Sequence, residues 1–307
     1  MIAPSRFPGG GTRCRPPFRL LAAILCLGIL GAALSPATAY AHGAPIELAV
    51  WGAWGRRLAR CQRIIARNAA ACALRTWEAR RACRLTTLSG GQCDQNATDQ
   101  IIEAVRIEAV TNVGDACTDQ QVQQLMFLNE QEAQLDVVSF CRELEDAVDS
   151  AVFLPMQSTT PISAAGKRCV DATSLATTKL LRQAFDSRLD MLDRIAQQSF
   201  SPPRKTAMVA ASTATIAADS GTLAEMLSAS CSHDEFVSTY GRDAVSFLSL
   251  IAGRADCLSG QAYAQGGIVC PNPQCGNGMR EFRPVPEDCD DGNAVSGDGC
   301  SASCRRE

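Results

Sequence analysis

Residues 46–88 read IELAVWGAWGRRLARCQRIIARNAAACALRTWEARRACRLTTL, a stretch rich in alanine, arginine and leucine and free of proline. Apolar side chains fall at Trp51, Trp54, Leu58, Cys61, Ile65 and Cys72, in steps of three, four and seven. Such steps place side chains on one face of a helix, so the stretch is read as one long amphipathic α-helix. Cys61, Cys72 and Cys83 are spaced by eleven residues. Eleven residues make close to three turns, so the three sulfurs share a face and stand about 16 Å apart along the axis. A disulfide needs its α-carbons within about 7 Å. The three therefore cannot pair with one another while the helix is intact, and each must reach a different place. Ser89-Gly90-Gly91 stops the helix and brings Cys93 within reach of Cys83.

Upstream, Arg6, Arg13, Arg15 and Arg19 precede an apolar run from Leu20 to Leu34, followed by the small residues Ala37, Ala39 and Ala41. This is the pattern of a secretory signal peptide over 1–41, with maturation near Tyr40 or His42. The run is shorter than the roughly twenty residues a membrane-spanning helix requires. An exported chain with no integral membrane span after cleavage is the expectation, secreted or at the cell surface. Without the four leader arginines, 25 of the 29 basic residues remain against 32 acidic ones, a net charge near −7. A nucleic-acid partner is not suggested by that sign. The leader also holds Cys14 and Cys26, leaving fourteen of sixteen cysteines, an even number that reads as a disulfide framework in an oxidising compartment.

The chain has only two histidines, His42 at the processing site and His233. That removes most familiar chemistry: the sequence has no H-E-x-x-H, C-x-x-C-H, G-x-S-x-G or C-x-x-C. Ser232, His233 and Asp234 are adjacent and cannot form a relay, because neighbours on a helix point about 100° apart. Ser232 with Glu235 reads instead as a capping box. The first helix carries Arg56, Arg57, Arg60, Arg63, Arg67, Arg75, Arg80, Arg81 and Arg84, and from Arg56 onward Glu78 is the one acid against them. A basic face for an anionic lipid or polysaccharide is one reading. The other, favoured, is that the acidic segment Glu130–Asp149 of the same chain neutralises it. Trp51, Trp54 and Trp77 are read as core rather than as a sugar-stacking platform.

Further helices are expected over 97–113 and from Gly114 to about Phe153, the latter bent near Asn129. Cys61, Cys117 and Cys141 then recur as Cys169, Cys231 and Cys257, at offsets of 108, 114 and 116. Two diverged helical units, 46–153 and 162–260, follow from that spacing. A linker at 261–274, with Cys270 in it, leads into a small module at 275–304. The fold class expected is mainly α: two disulfide-linked helical units followed by a loop-rich, cysteine-rich module. Asn129 lies midway between Cys117 and Cys141, so a hairpin there would join these two. Tyr240-Gly241 would likewise join Cys231 to Cys257, and Cys83 would join Cys93. The rival scheme pairs Cys61 with Cys141 and Cys169 with Cys257.

In the module, Cys275-Gly276-Asn277-Gly278 is followed by Glu287-Asp288-Cys289-Asp290-Asp291-Gly292-Asn293 and by Gly297-Asp298-Gly299-Cys300-Ser301-Ala302-Ser303-Cys304. With hardly a large apolar side chain, this segment needs cross-links to hold it. Its motifs resemble the myxococcal cysteine-rich repeat, a domain of unknown function in bacterial surface proteins, and are similar in outline to Notch-type repeats. The resemblance implies an exported protein whose Cys275, Cys289, Cys300 and Cys304 form bridges; it implies no reaction. Phe282-Arg283-Pro284-Val285-Pro286 stands where the repeat has a short glycine-containing turn. Asp290, Asp291, Asn293 and Asp298, with Asn277 and Asp288 behind them, are candidate Ca²⁺ ligands, since oxygen-only donors between glycines suit a hard cation. The alternative is that these residues are turn formers held by disulfides.

Two function classes remain. One is a non-enzymatic structural or interaction protein whose module contacts an envelope or extracellular protein or polysaccharide. The other is an envelope hydrolase, which would need paired carboxylates with raised proton affinity converging in a cleft.

Overall fold

The structure, a computed structural model, describes residues 52–157, 161–263, 275–280, 287–290, 292–297 and 300–307. The leader at 1–41 and the linker positions 264–274, including Cys270, lie outside the described residues, as do Asp291 and Asp298. Eight α-helices occupy the described residues. They are α1 (Gly52–Leu88), α2 (Gln95–Ala116), α3 (Asp119–Gln124), α4 (Glu130–Val152), α5 (Ala164–Gln197), α6 (Pro202–Ser228), α7 (His233–Tyr240) and α8 (Ala244–Ala262), with a 3₁₀ turn at Leu154–Gln157 after α4. No strand is found among the described residues; one isolated bridge pairs Cys300 with Arg306.

Local chemistry sets the boundaries. Asp94 caps α2 by accepting from the Ala97 amide at 2.9 Å, and Asn129 caps α4 through the Glu132 amide at 2.9 Å. The region expected as one bent helix is broken instead. Thr118 opens α3 with a capping box, the chain passes through Met126 at φ +73°, and Asn129 starts a new helix. Pro202 and Pro203 stand at the start of α6, where missing amide hydrogens cost nothing. Ser232 and Glu235 form the expected capping box of α7, which ends at Gly241 in the left-handed conformation, φ +68°.

The helices fall into two series of four, each with its longest helix first and its shortest third. The short helices α3 and α7 begin directly after Cys117-Thr118 and Cys231-Ser232, both with capping boxes. Cys117 is bonded to Cys61 of α1, and Cys231 to Cys169 of α5. The same bridge thus recurs in both series, from the first long helix to the entrance of the short one. At an offset of 108 from Cys72 stands Leu180, an apolar side chain with no exposure, so the second series packs where the first cross-links.

Both series share one core. Helix α1 touches α2, α4 and α5, and Ala66, Ala69, Ala70 and Ala73 in its middle are all buried. Small side chains there let three helices approach closely, which explains why its apolar face is too wide for one neighbour to cover. Trp77, fully buried, packs against Phe153 at 5.8 Å between ring centres and donates from Nε1 to Thr178 of α5 at 2.9 Å. Tyr240 donates its hydroxyl to the Val152 carbonyl at 3.0 Å, tying α7 to the end of α4.

Two expected bridges are corrected. Cys117 does not join Cys141; Cys61–Cys117 and Cys72–Cys141 are formed, and Cys83 is bonded to Cys93. Cys231 does not join Cys257 but Cys169, while Cys257 is disulfide-bonded elsewhere. The rival pairing of Cys61 with Cys141 and of Cys169 with Cys257 is also absent, because Cys61 is bonded to Cys117 and Cys169 to Cys231. The reason is the packing of α1. It runs antiparallel to α2, with Arg75 on Glu108, and parallel to α4, with Cys72 beside Cys141 and Arg84 on Asp149. Both Cys117 and Cys141 therefore meet α1 at different levels and never meet each other.

The arginines of α1 are matched along most of its length. Arg84 grips Asp149 through two bonds, at 3.1 and 2.6 Å, and Arg80 reaches Glu145 at 2.9 Å and Asp99 at 3.2 Å. Part of the neutralising charge thus comes from the acidic segment, and part from α2 and α5 through Glu108, Asp171, Asp190 and Asp193. Glu145 is buried and also accepts from Arg106 at 3.0 Å. Glu145→Ala is expected to cost about 3 kcal/mol. That is the low end for breaking a buried pair, because Arg80 keeps Asp99 and Arg106 keeps Glu103 at 3.9 Å. Urea denaturation of the variant checks this value.

Candidate functional site

The module is organised on one carboxylate. Asp290 is buried, and its Oδ2 accepts from the amides of Gly276 at 3.0 Å and Asn277 at 3.2 Å. Its Oδ1 accepts from the amides of Gly278 at 2.9 Å and Gly292 at 2.8 Å. Four donors meet the four lone-pair positions of a carboxylate, so its capacity is full. The bridges Cys275–Cys304 and Cys289–Cys300 close the loops around it. Asp288 pairs with Arg305 at 3.1 Å, and its amide donates to the Cys304 carbonyl at 3.0 Å.

The loop held by Asp290 delivers Met279 into the core of the helical body, where it has no exposure. Asn277 Oδ1 accepts from the Met279 amide at 2.7 Å, and the Arg280 amide donates to Ser150 Oγ of α4 at 3.2 Å. Gly292 lies at φ +86°, and a Cβ there would come within 2.9 Å of Leu154 Cδ2 in the 3₁₀ turn. The module is therefore docked on the end of α4. Among its described residues Met279 supplies an apolar contact to the helical core, a role the sequence did not suggest. The only signal was one large apolar residue directly after Cys275-Gly276-Asn277-Gly278.

Gly276 is the second tight point, at φ +87° with its would-be Cβ 2.8 Å from the Asn293 carbonyl carbon. That neighbour is backbone and cannot rotate aside. Gly276→Ala is expected to destabilise the module by about 2 kcal/mol through left-handed strain and collision. Limited proteolysis, cutting the module before the helices, is the check.

Asp290, one of the candidate Ca²⁺ ligands, is filled by backbone donors. Its oxygens face four amide hydrogens, which carry positive partial charge and would repel a cation. Asn293 Oδ1 accepts from the Val295 amide at 2.7 Å, a local turn. Glu287, Asp290 and Cys304 do lie close enough for ligand atoms to converge within 4.8 Å. Cys304 is bonded to Cys275, however, and offers no thiolate. These three residues alone fall short of the six to eight oxygen ligands that Ca²⁺ takes. Asp291 and Asp298 lie outside the described residues.

Glu145 holds its proton more tightly than an ordinary carboxyl, chiefly because its surroundings are poorly solvated, and Asp146 stands beside it in the sequence. They are neighbours on α4 and diverge. Glu145 is turned inward to Arg80 and Arg106, and Asp146 is exposed, so the two do not converge. His233 lines a cleft of about 540 Å³ together with Glu225 and Asp243. There Asp243 is occupied as the cap of α8, accepting from the Ser246 amide at 2.9 Å and from its hydroxyl at 2.6 Å.

Residues 255–305 match a family model described as Domain of unknown function (DUF4215). No curated protein and no solved structure matches the chain. The matched region begins inside α8, before Cys257, and takes in the whole module. The similarity therefore covers the module and the last turns of the helix that leads to it. Among the described residues no helix is long and apolar enough to cross a membrane.

Proposed function

We propose that the chain is an exported, non-enzymatic interaction protein: a cross-linked helical body that presents a small disulfide-rich module at one end. The observation that carries this reading is that all thirteen described cysteines are disulfide-bonded. Oxidation at every described cysteine suits an oxidising compartment. The sequence pattern of residues 1–41 supports export by the same route. The hydrolase alternative draws no support from the acidic segment, whose Glu145, Asp149 and Glu143 are engaged with arginines. Ca²⁺ has no part in the reading, given how Asp290 is used.

The test is to express the full chain with its own leader in a bacterial host and to fractionate the cells. The expected product is found outside the cytoplasm, starts near Tyr40 or His42, and shows no free thiol when denatured in the presence of an alkylating agent. Recovery in the cytoplasm with the leader intact and thiols free would contradict the proposal.

A further inference from the structure

Four arginines of α1, Arg56, Arg60, Arg63 and Arg67, are spaced by four, three and four residues. At 100° and 1.5 Å per residue they fall within about 60° of one face and span about 16 Å. The outer two, Arg56 and Arg60, are exposed and have no ionic or hydrogen-bond partner among the described residues. The inner two open into a cleft of about 490 Å³ between α1 and α5. There Arg63 Nε lies 2.9 Å from Asp193, and Arg67 reaches Asp190 at 2.5 Å and Asp193 at 3.2 Å. Asp193 is buried and also accepts from the Tyr263 hydroxyl, so its charge is shared among three donors. Arg194, on the far wall, is exposed and has no partner among the described residues, and the amides of Gln197 and Gln198 close the end.

The row and cleft thus hold five guanidinium groups against two carboxylates, a local surplus of three positive charges on a chain whose net charge after leader removal is near −7. Residues 264–274, which follow Tyr263, contain no charged side chain and cannot neutralise them wherever they run. We propose that this row and cleft bind a linear acidic polysaccharide, with carboxylate groups on the arginines and sugar hydroxyls on Gln197 and Gln198. An array of about 16 Å fits a chain of repeating anions better than one small ion. Guanidinium groups match carboxylates in bidentate geometry. The cleft around Arg63, Arg67 and Arg194 admits a strand but not the plane of an anionic bilayer. The proposal rests on the reading of the chain as an exported interaction protein, and the localisation assay tests that reading separately.

The experiment is calorimetric titration of the mature full-length protein at low salt with an oligogalacturonate. A fully methyl-esterified oligomer, phosphatidylglycerol vesicles and oligothymidylate serve as comparison arms. Binding to the oligogalacturonate is expected, with none to the ester. Affinity should fall about tenfold in the double variant Arg60→Gln/Arg194→Gln. Both residues are exposed and lack partners among the described residues, so the fold is retained. Arg182→Gln, on the same helix as Arg194 but paired with Glu78, should leave the affinity unchanged. The proposal is overturned by an absence of heat with the oligogalacturonate, by equal binding of the ester, or by unchanged affinity in the double variant. Tighter binding to the vesicles or to oligothymidylate overturns it as well.

Discussion

Asp290→Ala is expected to open the module and expose Met279. Four backbone amides lose their acceptor together, and a buried donor left unsatisfied costs about 1–3 kcal/mol. At the lower bound for each, the closed loop is about 4 kcal/mol less favourable, enough to lift it off α4. Hydrogen exchange should accelerate at Gly276, Gly278 and Gly292, and Met279, buried in the parent, should become oxidisable by peroxide. Because Met279 belongs to the same core as the helices, the melting temperature of the whole chain should fall too. Adding or chelating calcium should change neither protein. A module that opens while Met279 stays protected would show that the two are not coupled.

Removing the Cys72–Cys141 bridge by a double alanine substitution is expected to cost about 4 kcal/mol. It closes 69 residues, and restriction of the unfolded chain grows with the logarithm of that span. Both sulfurs are buried, so their loss also leaves unfilled volume in the core between α1 and α4. Removing Cys83–Cys93, which closes only ten residues, should cost less than about 3 kcal/mol. Denaturant titration of the two double variants gives the order directly, and equal losses would mean that loop length is not what sets the effect.

Features that depend on neighbours along the chain were legible in the sequence. The eleven-residue spacing of Cys61, Cys72 and Cys83 says that they share a face and must reach different partners, and they reach α2's end, α4 and the following loop. Ser232 and Glu235 give the start of α7 from two residues and their separation. Which cysteine each α1 sulfur reaches was not legible. It depends on α1 lying antiparallel to α2 and parallel to α4, a tertiary arrangement that hairpin spacing around Asn129 does not encode. The role of Asp290 was hidden for a related reason. An aspartate among glycines supplies oxygens in either case, and only the fold decides whether they face amide hydrogens or a cation. Met279 is an isolated apolar residue between Gly278 and Arg280, and periodicity has nothing to say about one residue.

The most direct measurement is peptide mapping of the unreduced protein with thiols blocked before digestion. The expected set is Cys61–Cys117, Cys72–Cys141, Cys83–Cys93, Cys169–Cys231, Cys275–Cys304 and Cys289–Cys300, with Cys257 also bonded and no free thiol. A Cys117–Cys141 or Cys231–Cys257 peptide, or a substantial population of free thiols at these positions, would contradict both the hub role of α1 and the assignment to an oxidising compartment.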